Sequence, residues 1–99
     1  MKGKVINADN AMIVVHLELL ADGYNKHDDV PIRYKAKHFQ DVADFVRKFA
    51  TTIRSKDDLP YSLSKAARDE VHLFLMSGST TPRYTKLLNE LEEQRNKRR

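Results

Sequence analysis

Between Phe39 and Ile53 the apolar residues Phe39, Val42, Phe45, Val46, Phe49 and Ile53 recur at intervals of three and four, with Asp41, Asp44, Arg47, Lys48 and Thr51 between them. Those intervals stack side chains on one face of an α-helix. Such a helix is stable mainly because its stripe covers an apolar surface, so the segments before and after it must supply one.

The preceding segments read as strands. Gly3 to Asn7 predicts a short strand, Ala8-Asp9-Asn10-Ala11 a turn, and Met12 to Leu20 a longer strand rich in β-branched residues. On the longer strand Ile13, Val15, Leu17 and Leu19 share one face. Met12, Val14, His16 and Glu18 form the other, whose apolar beginning is either covered core or a contact offered to a partner. Ala21 to Asp29, with Asp22-Gly23 and Asp28-Asp29, predicts a polar loop. Val30 to Ala36 alternates Ile32, Tyr34 and Ala36 with Arg33 and Lys35, and Pro31 places this third strand at a sheet edge or at its own first residue. The amphipathic helix then lies across the sheet, with Phe45 and Phe49 opposing Ile13, Val15 and Leu17.

Downstream, Ser55 to Pro60 is a connector, and a helix is expected from Ser62 to about Met76, stopping at Gly78. Thr81-Pro82 is a helix start, a hydroxyl cap followed by proline at the first helical position. Tyr84, Leu87, Leu88 and Leu91 give the last helix its stripe, and Arg95 and Arg98 continue that face. The expectation is an α+β fold, β-β-β-α-α-α: a three-stranded antiparallel sheet packed by an amphipathic helix and followed by a C-terminal helical hairpin. Residues 1–94 make one domain and 95–99 a basic tail.

A chain of 99 residues supports one core. It has no cysteine, hence no disulfide framework or thiolate metal site, which fits a reducing compartment. Met1-Lys2-Gly3-Lys4 leads into no apolar signal run, and Ala11 to Val15 and Leu73 to Met76 are far shorter than the roughly 20 residues that span a bilayer, so a soluble, cytoplasmic protein with no membrane contact is expected. The net charge of +4 resides at the end of the chain: without Arg95, Lys97, Arg98 and Arg99 the 18 Lys and Arg fall to 14, matching 14 Asp and Glu. A neutral body lacks the broad positive potential of most nucleic-acid binders.

Catalytic motifs find no foothold. Three glycines make no phosphate loop or dinucleotide pattern, and a G-x-S-x-G elbow is absent. No enzyme and no cofactor is expected. His16, His27, His38 and His72 lie on separate elements without an i, i+4 pair, and His27-Asp28-Asp29, with Asp22 nearby, lacks the alternating oxygens of a calcium loop, so no metal site is expected. Glu70 falls inside an apolar arc between Ala66, Leu73 and Phe74; its carboxylate must reach solvent, find a cation or take a raised pKa, and a structural ion pair or a rim position is favoured over a cleft residue or partner-binding charge.

Two basic features bear on partners. Around Gly78 the last two helices have part of a helix-turn-helix spacing, which would aim Arg83, Thr85, Lys86 and Asn89 at nucleic acid. Bulky Phe74, polar Ser79 and the acidic Glu90, Glu92 and Glu93 oppose it and favour an ordinary helical hairpin. Arg33, Lys35 and Lys37 line one side of the third strand with Tyr34 opposite, a pattern that protects an edge strand from pairing. The residues thus favour a small non-catalytic interaction protein, a regulator, adaptor or inhibitor that binds another protein through Met12, Val14, Tyr84, Arg95 and Arg98, with self-association as one form of that contact. The alternative is a nucleic-acid-binding regulator using Arg83, Lys86 and the basic tail.

Overall fold

The stripe centred on Phe39 begins earlier than Phe39. Ile32, Ala36, Phe39, Ala43 and Val46 continue the three-and-four spacing, and in the computed structural model, which describes residues 8–49, 53–77 and 81–97, one helix covers Val30–Phe49. Helix α1 spans Ala8–Lys26, α2 Val30–Phe49, α3 Lys65–Ser77 and α4 Pro82–Lys97, with a 3-10 turn at Lys56–Asp58 before α3. No strand occurs among the described residues, so the expected α+β fold with its antiparallel sheet is replaced by an all-helical one. Gly3 to Asn7 lies outside the described residues.

Packing decides against the strand at 12–20. Asn10, Ile13, Val14, Leu17, Leu20, Ala21 and Tyr24 are buried, at spacings that only a helix puts on one side. The β-branched run Ile13-Val14-Val15 gives up at most about 0.7 kcal/mol of helix propensity per residue. Burying Ile13, Val14 and Leu17 contributes about 1.5–3 kcal/mol each, so packing wins. The expected strand face breaks up, since Ile13 and Leu17 are buried while Val15 and Leu19 are 54% and 48% exposed.

The third strand is the first half of α2. Pro31 sits in the opening turn of the helix, where its missing N–H is not needed. The Asp29 carbonyl accepts from the N–H groups of Ile32 and Arg33 at 3.1 and 3.0 Å. The expected polar loop shrinks to residues 27–29. Arg33 Nε and Nη2 donate to the carbonyls of His27 and Asp28 at 2.9 and 3.3 Å, satisfying backbone at the junction.

This short turn folds α1 and α2 into an antiparallel pair. Arg47 Nη2 donates to Glu18 Oε1 at 2.7 Å across it. Beyond α2, the Ile53 N–H donates to Asn10 Oδ1 at 3.2 Å, returning the chain to the start of α1. Phe49 packs beside Phe45, ring centroids 4.8 Å apart, and is half exposed rather than set against Ile13, Val15 and Leu17.

The two later helices form where the sequence places them, and both join the common core, α3 against α1 and α2 and α4 against α1. Helix α4 meets α1 at Gly23, where a Cβ would stand 2.7 Å from Leu87 Cδ2. Thr81 and Pro82 start α4 as their types imply: Thr81 Oγ1 accepts from the Tyr84 N–H at 3.3 Å, and Pro82 is the first helical residue. No described helix is long and apolar enough to cross a membrane.

Candidate functional site

A charged side chain occupies the place where the helices converge. The face of α3 that turns inward carries Ala67, Glu70 and Val71, and Glu70 is 1% exposed. Its Oε2 lies 2.7 Å from His16 Nε2 on α1 and also accepts from the Thr81 hydroxyl at the start of α4. Its Oε1 has no hydrogen bond and stands 3.4 Å from Arg83 Nε. A buried carboxylate is tolerable only with such partners. The His16 ring is clamped by Phe74, stacked at 4.4 Å, and by the Tyr84 edge at 5.7 Å. His16, Glu70 and Thr81 are all buried, and Glu70 bonds to both of the others, which makes this a structural knot tying α1, α3 and α4.

Arg83 connects the knot to the surface. Its Nη1 donates to the Tyr24 hydroxyl at 3.4 Å, and its guanidinium lies 5.4 Å over the Phe39 ring. On its outer side opens a cleft of about 320 Å³ lined by Tyr24 of α1, Ile32 and Lys35 of α2, and Pro82, Arg83 and Lys86 of α4, with Glu90 at one end. Neither Lys35 nor Lys86 forms an ion pair among the described residues.

A second surface runs along α1. Met12, Val15 and Leu19, at i, i+3 and i+7, are 52%, 54% and 48% exposed and form one outward stripe. Met12 and Leu19 flank His16 on the helix, so the stripe adjoins the half-buried rings of Phe74 and Tyr84.

Comparison with known protein families, curated proteins and solved structures finds no match to this chain. Its surfaces must speak for it.

The residues expected to contact partners scatter. Met12 is on the stripe, but Val14 turns into the core at 4% exposed, because a helix separates positions that a strand would align. Tyr84 supports His16, Arg83 points inward to Glu70, and Lys86 lines the cleft. Arg95 is exposed in the last turn of α4, and Arg98 lies outside the described residues, as do Gly78 and Ser79 of the proposed turn. Of the residues that a helix-turn-helix would aim at nucleic acid, Arg83 stands 3.4 Å from Glu70 Oε1. The basic row also disperses: Arg33 caps α1, Lys35 faces the cleft, and Lys37 pairs with Asp41 at 3.1 Å. His27 is buried, its Nδ1 taken by the Asp29 N–H at 3.2 Å, while Asp22 pairs with Lys26 at 3.0 Å. Sequence reasoning missed Val15 and Leu19 as a surface and Lys35 as a neighbour of Lys86. The first was legible once residues 8–26 were put on a helical wheel; the second was not, since 51 residues separate the two lysines.

Proposed function

We propose that this chain is a non-catalytic interaction protein that docks onto another protein through the α1 stripe of Met12, Val15 and Leu19. The exposure of three large apolar side chains in register on one helix carries this reading. Single exposed apolar residues are ordinary on any surface, whereas a contiguous row bordered by further aromatic rings marks an interaction site. The row spans two helical turns, roughly 10 Å, which suits an amphipathic helix of the partner laid along it with its own apolar positions at matching spacing. A chain without cysteine works in a reducing compartment such as the cytoplasm without loss of structure. The nucleic-acid alternative draws less support, because Glu90, Glu92 and Glu93 interrupt the basic residues of α4.

The test is the double substitution Val15→Gln and Leu19→Gln, which removes apolar area, adds no charge and keeps good helix formers. A protein captured from the native host by the wild-type chain and then purified should bind the variant at least about tenfold more weakly, roughly 1.4 kcal/mol, with unchanged circular dichroism. Equal binding by both chains would reject the stripe. Loss of a self-dimer with the same substitutions would name a second copy as the partner.

A further inference from the structure

We infer that the cleft between α2 and α4 is a binding site for a small phosphate ester, a molecule with phosphate at one end and a hydroxylated or aminated ring at the other. The site is separate from the α1 stripe and does not rest on the protein-docking reading: Tyr24, its contribution from α1, lies well round the helix from Met12, Val15 and Leu19.

Three cations reach the cleft from two helices, Lys35 from α2 and Arg83 and Lys86 from α4. Arg83 arrives fixed. The 3.4 Å approach to Glu70 Oε1, the bond to the Tyr24 hydroxyl and the Phe39 ring beneath hold its guanidinium while leaving its side chain 31% exposed. Glu70 offsets part of that charge, so the two unpaired lysines carry most of the attraction and Arg83 supplies oriented N–H donors. Pro82 and Arg83, in the first turn of α4, line the cleft, and the helix dipole favours an anion at that end. Two lysines, a positioned arginine and that dipole suit the dianionic charge of a phosphate better than a single carboxylate.

The rest of the ligand follows from the order of side chains along α4. Arg83, Lys86 and Glu90 fall on one face, and a rise of 1.5 Å per residue puts Glu90 about 6 Å beyond Lys86 and about 10 Å beyond Arg83. Along α4 the lining thus runs from the cations Arg83 and Lys86 to the carboxylate of Glu90. Glu90 rejects a second anionic group and accepts hydrogen bonds from a hydroxyl or amine, while Ile32, Pro82 and Tyr24 give the middle an apolar wall. A cleft of about 320 Å³ is at the small end of ligand sites, a size that suits a sugar phosphate.

The experiment is an NMR titration of the full isotopically labelled chain with ribose 5-phosphate, ribose, inorganic phosphate and a short single-stranded oligonucleotide. Ribose 5-phosphate should shift Tyr24, Ile32, Arg83 and Lys86 saturably, and ribose should shift none of them. Lys35→Ala with Lys86→Ala should weaken that binding at least about tenfold without altering the helical circular dichroism. Glu90→Gln should weaken ribose 5-phosphate while leaving inorganic phosphate as tight or tighter. The inference is overturned if no saturable shift occurs up to about 10 mM, well beyond a millimolar Kd. It is overturned too if the double lysine variant binds as well as wild type, or if the oligonucleotide occupies the cleft and ribose 5-phosphate does not.

Discussion

The Glu70 carboxylate meets the His16 imidazole at 2.7 Å across 54 residues of sequence. Because Thr81 donates to the same carboxylate oxygen and Arg83 stands beside the other, a single α3 side chain gathers α1 and α4. His16→Ala leaves the buried charge short of a partner, and it is expected to cost about 3 kcal/mol or more. For a chain of this size that lowers Tm by more than about 10 °C. Replacing both members by apolar residues, His16→Phe with Glu70→Met, should cost less than the two single changes added together. Urea unfolding of the four proteins measures the coupling, and additive losses would sink it.

At Gly23 the Leu87 side chain of α4 packs directly on the backbone of α1. In a helix interior alanine is normally better than glycine by up to about 1 kcal/mol. Here the new methyl would stand 2.7 Å from Leu87 Cδ2 and 3.3 Å from Leu87 Cγ, and Leu87 is buried with little room to rotate. Gly23→Ala should therefore destabilise, by about 1–3 kcal/mol, the usual cost of overpacking. A stabilised variant in a thermal melt would mean that α4 does not press on α1 there.

Alternate residues of α1 should behave oppositely. Leu17 is fully buried and Leu17→Ala should cost about 2–5 kcal/mol, whereas Val15→Ala, on the open side of the helix, should change stability by less than about 0.5 kcal/mol. Equal losses at positions 15 and 17 in denaturant titrations would be the mark of a strand face.

Asp69 supplies a pH-dependent clip between the 3-10 turn and α3. The hydrogen bond from Lys56 Nζ, 3.1 Å from Oδ1, is the main reason its carboxyl is held below the ordinary 3.8; desolvation, next in size, opposes it, and the charges of Lys56, Lys65 and Arg68 add to the lowering. A carboxyl whose folded pKa lies below its unfolded one contributes stability in full above the unfolded value, and that contribution is lost as pH falls through the folded value. Lys56→Ala should move the Asp69 titration upward toward 3.8 when followed by carboxyl carbon shifts. An unchanged titration would remove Lys56 as the cause.

What the amino-acid sequence determined alone lies where local chemistry speaks without tertiary help. The period of Val42, Phe39 and Val46 demands a helix, the pair Thr81-Pro82 starts one, and Glu70 stands inside an apolar arc, where only the structure shows that it is buried with partners. The tertiary structure decided the state of residues 8–36. There Met12, Val15 and Leu19 make α1 apolar on its open side as well as its buried one, so periods of two and of 3.6 fit the same letters, and Pro31 suits a strand edge and a helix start alike. Burial against α2 and α4 broke that tie, because only the helix buries Ile13, Leu17, Leu20 and Tyr24 together. The cleft arises in the same way: Lys35 and Lys86 are distant in the chain, and only the docking of α4 beside α2 brings their charges to one opening.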